Sequence, residues 1–402
     1  SSPQLSGHVL VLASIARPRC ATVGSTTLMG DIFDTSHVIV AKVGSSTLIG
    51  PDGGVDEAFV GSLVDQMAQL VHEGYHPILI TSGAVAAGFR HLGLHARPDD
   101  IPTLQACASA GQATLTEVYA EAFRRHDIAV GQVLLSRRDL ADRQTYLNAR
   151  NTLGRLLALG AIPVVNENDT VSVAEFTFGD NDTLGAIVAT IVNASLYVIL
   201  SDVNGLYKTN PALDPAARIV DTLDAITPEV EAMAGDAGSA VGTGGMRTKL
   251  RAGRITLAAK IPMVICKGRQ EGALVRAAHS ERVGTRIEAA PAARHEGARK
   301  LWLATAELPQ GSIVLDGGAV HAVLHEGASV LPVGIREVKG DFSKQSVVDV
   351  QSLDGTLIGR GVVRYPADEL RRYRGLRLDV IGRFVSDKAG WPAIHRDDLL
   401  VF

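Results

Sequence analysis

The chain has 402 residues, 46% of them hydrophobic, and a formal net charge of −4. Domains usually contain about 100–250 residues, so two domains are expected, and the slightly acidic charge gives no basic field to attract nucleic acid. No run reaches the roughly 18 apolar residues that cross a bilayer. The cysteines have neither disulfide nor metal-site spacing, which favours a cytoplasmic location; they are Cys20, Cys107 and Cys266.

Residues 1–36 precede the first structural pattern. Their short apolar run has no Lys or Arg before it, which argues against a secretory signal. Arg17 and Arg19 among Ser and Thr residues resemble an organelle-targeting segment only weakly. We expect either a poorly ordered extension or a start assigned too early, ahead of Met29.

Short apolar runs alternate with helical patterns over most of the first half of the chain. Buried strands are predicted at 38–43, 77–82, 130–136, 161–166 and 196–202. Helical spacing of apolar residues predicts helices near 59–71, 103–125 and 146–159. This alternation predicts an α/β fold, a three-layer αβα sandwich with a mainly parallel sheet.

The composition changes near residues 285–300, where Ala, Pro and charged residues indicate a linker. Short apolar runs separated by glycines follow it and predict a small C-terminal β-barrel. The expected organisation is an extension at 1–36, a first domain at 37–285, a linker at 286–298 and a second domain at 299–402.

Polar residues gather where the predicted strands end. In an open parallel sheet, the ligand binds beyond the carboxyl ends of the strands. Those ends carry the segments 42–45, 81–83, 166–169 and 201–202. The repeated pattern predicts an active site at this edge.

Lys42 ends the first strand, and the amides of Gly44 and Ser45 after it can bind a phosphate. The alternative is a surface lysine beside a turn, and the spacing of a Walker loop is absent. The small residues of TSGAVAAG at 81–88 allow a ligand to approach the backbone, with Ser82 as a donor. They are equally consistent with close strand–helix packing.

The segments NENDTV and GDNDTLGA carry four carboxylates within sixteen residues, with asparagines among them. They are Glu167, Asp169, Asp180 and Asp182, with Asn166, Asn168 and Asn181. Such groups suit an amino-acid ligand, because a carboxylate can bind its ammonium group and an amide its carboxylate. For Asp182 taken alone a helix N-cap is the favoured interpretation, and the spacing of a calcium-binding loop is missing.

The segment GTGGMRTKL at 242–250 has a glycine-rich loop that opens a helix carrying Lys249. The amides and dipole at a helix N-terminus bind phosphate. Met246 can instead pack in the core, and Arg247 can simply be solvated.

Together these motifs, with VGQVLLSRRDLADRQTYLNARNTL and LSDVNGLY, resemble the glutamate 5-kinase family of the amino-acid kinase superfamily. The resemblance covers residues 37–395, and PAIHRDDLL near the C-terminus resembles the PUA domain of that family. It departs from the family pattern at Ser201, where Thr is frequent. The resemblance implies ATP-dependent phosphorylation of the γ-carboxylate of L-glutamate, the first step of proline synthesis.

The resemblance also implies roles for individual residues. Lys42, Lys249 and Asp182 would be catalytic, with Asp182 holding the two lysines apart. The residues that would bind glutamate are Ser82, Asp169 and Asn181. The residues that would bind ATP are Lys42, Gly44, Ser45, Ser201, Asp202, Thr243, Gly244, Gly245, Met246, Arg247, Thr248 and Lys249.

The remaining expectations concern partners. Mg²⁺ would be carried mainly by the ATP phosphates, without a dedicated metal site in the protein. Proline would be a feedback inhibitor, and the enzyme a homo-oligomer, a dimer or a tetramer.

Two alternatives stay open. The first is a related kinase of the acetylglutamate kinase, aspartokinase or uridylate kinase type. The second is an RNA-binding protein acting through the PUA-like domain, although residues 299–402 contain 14 basic against 13 acidic residues, which is too balanced for a strong phosphate-binding surface.

Overall fold

The computed structural model describes residues 37–51, 53–136, 140, 143–171, 181–211, 214, 216–234, 245–290, 309–384 and 390–401. The predicted extension at 1–36 and the part of the predicted linker at 291–298 lie outside these residues. So do Asp180, Thr243 and Gly244, to which the sequence assigned a place in the site.

The first part of the chain forms eight strands and nine helices within the described residues. In chain order they are β1 (Val38–Val43), α1 (Ser45–Leu48), α2 (Glu57–His72), β2 (His76–Ile80), α3 (Ala84–His91), α4 (Ile101–Arg124), β3 (Val130–Leu135), α5 (Arg143–Ala158), β4 (Ile162–Glu167), α6 (Asn181–Ile191), β5 (Leu196–Ser201), β6 (Thr222–Leu223), α7 (Pro228–Met233), α8 (Met246–Ala258), β7 (Met263–Lys267), α9 (Ala273–Ala278) and β8 (Thr285–Ile287).

These strands form one sheet in the order β3-β4-β2-β1-β5-β7-β8-β6. All neighbouring strands are parallel except β7 and β8. The predicted α/β fold with a mainly parallel sheet is confirmed. Lys42 of the central strand β1 pairs with Ile80 of β2 and Ile199 of β5, so β1 delivers this lysine to the edge where three strands end.

Side-chain caps define where two of the covering helices begin. Asp56 precedes α2 and accepts a hydrogen bond from the amide of Phe59 at 3.0 Å. Asp100 precedes α4 in the same way and accepts from the amide of Thr103 at 2.9 Å. Each cap satisfies an amide that the first helical turn leaves without a partner.

Two glycines let helices α3 and α4 approach each other closely. A Cβ atom on Gly88 would lie 1.8 Å from the carbonyl oxygen of Cys107, and one on Gly111 would lie 1.9 Å from that of Ala84. A side chain at either position would therefore push the helices apart. The close contact places the middle of α4, including Gln112, against the start of α3.

The second part of the chain forms a separate sheet. Its elements are β9 (Gly311–Leu315), α10 (Gly317–Glu326), a 3₁₀ turn (Pro332–Gly334), β10 (Ile335–Gly340), β11 (Val347–Gln351), β12 (Leu357–Val363), α11 (Ala367–Tyr373), α12 (Leu378–Phe384) and β13 (Ile394–Val401). The strand order is β10-β9-β11-β12-β13, and every pairing is antiparallel except that of β9 with β11.

Each sheet has its own buried apolar cluster. One cluster runs from Ile39 to Val283 and the other from Ile313 to Leu399, and they share no residue. The boundary expected at residue 285 falls inside β8, which continues to Ile287. In the part of the chain that the structure describes, no helix is long and apolar enough to cross a membrane.

Candidate active site

The centre of the predicted site is a buried carboxylate between two buried lysines. Asp182 Oδ1 lies 2.7 Å from Lys42 Nζ, and its Oδ2 lies 3.2 Å from Lys249 Nζ. All three residues are nearly inaccessible, with 1% exposure for Asp182, 6% for Lys42 and 5% for Lys249. Residues from β1, α6 and α8 thus meet in one ion triad.

The triad explains why the carboxyl group of Asp182 is ionised. Burial alone acts to raise the pKa of this carboxyl, but the charges of Lys42 and Lys249 and the hydrogen bonds from Lys42 and Thr248 outweigh it. The pKa of Asp182 is therefore held well below its usual range, and the carboxylate is ionised at neutral pH. One negative charge facing two positive charges leaves the triad with a net positive charge.

Helix positions account for how α6 and α8 supply these side chains. Asp182 is the second residue of α6, and Lys249 is the fourth residue of α8. The hydroxyl of Thr248 donates to Asp182 Oδ2 at 2.7 Å and lies 2.8 Å from the carbonyl oxygen of Gly245. The side chain of Asp182 therefore contacts α8 and β1, in contrast to the N-cap interpretation that the sequence left open.

A cleft of about 450 Å³ adjoins the start of α6. Its lining residues come from α1 and the loop after it, from the β2–α3 connection and α3, from β4 and the loop after it, from the loop before α4 and from the start of α6. They are Ser45, Ser46, Ile49, Gly50, Gly53, Ser82, Gly83, Ala84, Val85, Ala86, Phe89, Arg97, Asn166, Glu167, Asp169 and Asn181. All three residues predicted to bind glutamate line this cleft.

Asn181 is held in the cleft wall by acceptors that surround its amide nitrogen. Nδ2 lies 2.8 Å from the carbonyl oxygen of Thr81, 2.8 Å from Ser82 Oγ and 2.9 Å from Asn166 Oδ1, and its two hydrogens are shared among these three acceptors. Its Oδ1 is buried and has no hydrogen-bond partner among the described residues. A buried acceptor without a donor is costly, so this oxygen is suited to receive a donor from a ligand.

Two acidic side chains give the cleft a negative end. Burial and the nearby charge of Glu167 raise the pKa of Asp169 to about 7. A carboxyl in this state favours a cationic ligand, because a bound cation would stabilise the ionised form. Arg97 is the basic residue among the lining side chains, and within the described part of the chain it forms no ion pair.

The residues predicted to bind ATP divide into three groups. Gly44 lies close to the triad, since a Cβ atom there would be 3.5 Å from Lys42 Nζ, while its amide donates to the carbonyl oxygen of Leu200 over 3.4 Å. Ser45 begins α1 and also lines the cleft. Ser201 is buried at the end of β5 and donates to the exposed Asp202 at 3.0 Å.

The third group lies around the start of α8. Gly245 precedes the helix without a side-chain cap, and Met246 and Arg247 are its first two residues. Met246 is half-buried and Arg247 is exposed. Thr243 and Gly244 lie outside the described residues.

The structure adds residues that the sequence patterns did not single out. Gln112 accepts a hydrogen bond from Asn166, Tyr197 donates one to the carbonyl oxygen of Asp182, and Arg97 lines the cleft. Gln112 lies within a predicted helix and Tyr197 within a predicted strand, where a polar atom next to an apolar pattern is a weak signal. Arg97 lies in a loop, and the sequence signal that could have indicated it is the polar segment 95–100.

Comparison with known proteins shows the family of the chain. The amino acid kinase family matches residues 37–267, and the PUA domain matches residues 311–384. Over 363 residues the chain is 43% identical to the glutamate 5-kinase of Geobacter sp. (strain M21), covering 90% of this chain and 97% of that protein. It is 43% identical over 370 residues to the glutamate 5-kinase of Bordetella pertussis (strain Tohama I), covering 92% and 97%. The chain therefore belongs to the amino acid kinase family and, within it, to the glutamate 5-kinases.

Proposed function

We propose that the chain transfers the γ-phosphoryl group of ATP to the γ-carboxylate of L-glutamate and releases γ-glutamyl phosphate, the first step of proline synthesis. The observation that carries this proposal is the position of the Lys42–Asp182–Lys249 triad beside the cleft. The cleft offers groups for an amino acid, and the triad offers positive charge for a phosphoryl group.

The chemistry needs positioning more than proton transfer. A γ-carboxylate is already ionised near pH 7, because the pKa of a glutamate side chain is about 4.3. One of its oxygens attacks the γ-phosphorus, the bond from that phosphorus to the β–γ bridging oxygen breaks, and ADP leaves with the electron pair. Both reactants are anionic, so bringing them together requires nearby positive charge.

In this proposal Lys42 and Lys249 supply that charge, and Asp182 sets their separation. Both ammonium groups bind the same carboxylate, at 2.7 and 3.2 Å, so neither lysine can move far without losing an ion pair. Such fixed charges stabilise a transition state without reorganising during the reaction. Their burial strengthens the effect, since few water molecules screen them.

The cleft would hold the amino-acid part of glutamate. Asp169 pairs with the α-ammonium group, Asn181 Oδ1 accepts one of its hydrogens, and Ser82 lies beside them. Arg97 pairs with the α-carboxylate. An N-acetylated amino acid has no ammonium group, so it would leave Asp169 without a cationic partner and would offer a single N–H to Asp169 and Asn181 together. This argues against an acetylglutamate kinase.

ATP would lie on the other side of the triad. Family membership identifies the chain as a kinase, with ATP as the phosphoryl donor. We place the nucleotide at Gly44, Ser45, Ser201, Asp202 and residues 243–249. Mg²⁺ would be carried mainly by the ATP phosphates.

The proposal extends to regulation, assembly and domain roles. Proline would inhibit by feedback, the protein would act as a homo-oligomer, a dimer or tetramer, and its place would be the cytoplasm, without nucleic acid as a partner. Catalysis would reside in the first domain at 37–285, and the domain at 299–402 would influence regulation or assembly.

A coupled assay of ADP release tests the reaction directly. Glutamate, aspartate, acetylglutamate and uridylate are compared as acceptors at saturating MgATP. We expect turnover with glutamate and at least about 100-fold lower kcat/KM with the other three. A preference for any of the others would assign the chain to that related kinase type and overturn the proposal.

A further inference from the structure

The orientation of the Asn181 amide is fixed by main-chain groups. The carbonyl oxygen of Thr81 can only accept, so the atom of Asn181 that faces it at 2.8 Å must be the amide nitrogen. The amide of Glu167 can only donate, so the atom of Asn166 that faces it at 2.9 Å must be Oδ1. Both assignments leave Asn181 Oδ1 as an acceptor in the cleft wall.

Asn166 is in turn held by a residue outside the cleft. Its Nδ2 donates to Gln112 Oε1 at 2.8 Å. Gln112 belongs to α4 and is 8% exposed, and it is absent from the residues that line the cleft. Its own Nε2 donates to Thr116 Oγ1 at 3.3 Å, one turn further along the same helix.

We infer that Gln112 is a positioning residue for amino-acid recognition, because it orients Asn181 through Asn166. This inference rests on the proposed function and deepens it. Without an acceptor at position 112, Asn166 Nδ2 would be a buried donor with no partner, and nothing on the α4 side would hold the Asn166 amide group in its present orientation. Asn181 would then lose one of its three acceptors, and its Oδ1 would no longer face the ammonium group in a fixed position.

The test compares two ligands that differ at a single group. Glutarate has both carboxylates of the glutamate skeleton and lacks only the α-ammonium group. In Gln112→Leu we expect the KM for glutamate to rise about tenfold, while the inhibition constant of glutarate stays within about twofold of the wild-type value. A general distortion of the cleft would weaken both ligands, so equal losses would overturn the inference, as would an unchanged KM for glutamate.

Two further variants separate orientation from folding. Gln112→Glu keeps an acceptor for Asn166 and should restore most of the glutamate affinity. Gln132→Leu removes an exposed side-chain amide that lies 3.0 Å from Thr116 Oγ1, at the end of this series of hydrogen bonds farthest from Asn181. In that variant Thr116 Oγ1 keeps the carbonyl oxygen of Gln112 as an acceptor at 2.8 Å. Gln132→Leu should leave both constants unchanged. Failure of Gln112→Glu to restore glutamate affinity would also contradict the inference.

The measurement distinguishes this inference from the proposed function. A wild-type protein without turnover on glutamate would refute the proposed function itself. A wild-type protein with normal turnover, combined with a Gln112→Leu variant of normal glutamate KM, would refute only the role of Gln112. The melting temperature of each variant is measured alongside, and the KM for ATP serves as an internal control that should not change.

Discussion

The hydroxyl of Tyr197 donates a hydrogen bond of 2.8 Å to the main-chain carbonyl oxygen of Asp182. Tyr197 lies in the buried strand β5, so this bond ties the first turn of α6 to the centre of the sheet. Gly185 makes room for it, because a Cβ atom there would lie 2.4 Å from the tyrosine hydroxyl. The strand thereby supports the backbone of the residue that holds both lysines.

Tyr197→Phe removes this support and keeps the ring. We expect the free energy of unfolding to fall by about 1–2 kcal/mol, because a buried carbonyl loses a partner, and kcat to fall several-fold because the triad loosens. Tyr119→Phe is the matched control: it removes a buried hydroxyl 3.0 Å from Thr81 Oγ1, away from the triad. If both variants lowered kcat equally, the support of Asp182 by Tyr197 would have no special importance for catalysis.

Lys249→Ala should lower kcat by about 100-fold or more while the protein remains folded, since a charge that acts mainly in the transition state is lost from kcat. Asp182 keeps Lys42 and Thr248 as partners in this variant, which limits the cost in stability. Arg251→Ala changes an exposed basic residue of the same helix and should leave kcat within about twofold. Near-normal turnover of Lys249→Ala would rule out the proposed role.

Asp169→Asn should raise the KM for glutamate far more than the KM for ATP, because the lost charge faces the α-ammonium group. The same residue predicts a pH dependence. With its pKa raised to about 7, Asp169 is protonated below that pH and charged above it, so the wild-type KM for glutamate should fall as pH rises through about 7 and then level off. In Asp169→Asn the profile should be flat over this range. Equal changes in both KM values would place Asp169 elsewhere.

The raised pKa of Asp169 also makes the stability of the ligand-free protein depend on pH. Rising pH favours glutamate binding but lowers this contribution to stability. A carboxyl whose pKa is higher in the folded than in the unfolded state stabilises the fold below its unfolded value, here 3.8, and this contribution is lost as pH rises through about 7. Asp169→Asn should therefore unfold at a higher temperature than the wild type at pH values above about 7, with a smaller difference near pH 5. Thermal unfolding curves at both pH values would measure this difference in melting temperature.

Arg97→Ala tests the end of the cleft that would bind the α-carboxylate. We expect the KM for glutamate to rise about tenfold, with the KM for ATP unchanged. The matched ligand is 4-aminobutanoate, which has the reacting carboxylate and the ammonium group of glutamate without the α-carboxylate. Its inhibition constant should be the same in wild type and variant. A loss for both ligands would show that Arg97 supports the loop and does not bind the α-carboxylate.

The sequence predicted the parts of this molecule that depend on local pattern. Apolar runs predicted β1 and β5 because buried parallel strands carry apolar residues on both faces. The short strands β6 and β8 were not predicted, since two or three residues make no periodic signal. Neither were helices α10 and α11 in the second domain, where glycine-separated runs indicated strands alone.

The residues of the candidate site also divide into those with a local sequence pattern and those without one. Lys42, Asp182 and Lys249 could be chosen because each lies at a strand end or helix start with a recognisable motif. Gln112 could not, since its link to Asn166 joins residues 54 positions apart and depends on how closely α4 packs. The same holds for Tyr197, whose hydroxyl is one polar atom in an otherwise apolar strand. Pairwise contacts of this kind follow from tertiary packing, which periodicity alone does not encode.

Proline is expected to inhibit the enzyme in competition with glutamate. It shares the α-amino and α-carboxylate groups that Asp169, Asn181 and Arg97 would recognise, and it lacks the γ-carboxylate, so it can occupy part of the cleft without reacting. Because two ligands of one site exclude each other, excess glutamate should relieve the inhibition. Initial rates are measured against glutamate at several proline concentrations. Inhibition that glutamate does not relieve would refute the shared site.

The same experiment with residues 299–402 removed tests whether the first domain carries catalysis and the second domain influences regulation or assembly. Every residue proposed to bind a ligand lies before residue 250, and the two buried apolar clusters share no residue, so the truncated chain should fold and keep the glutamate KM within about threefold. Its inhibition by proline or its oligomeric state should change, because those are the roles left for the second domain. Circular dichroism and size-exclusion chromatography establish whether the truncated chain is folded. A folded truncation without activity would show that the second domain completes the active site, and the assignment of catalysis to residues 37–285 would then be wrong.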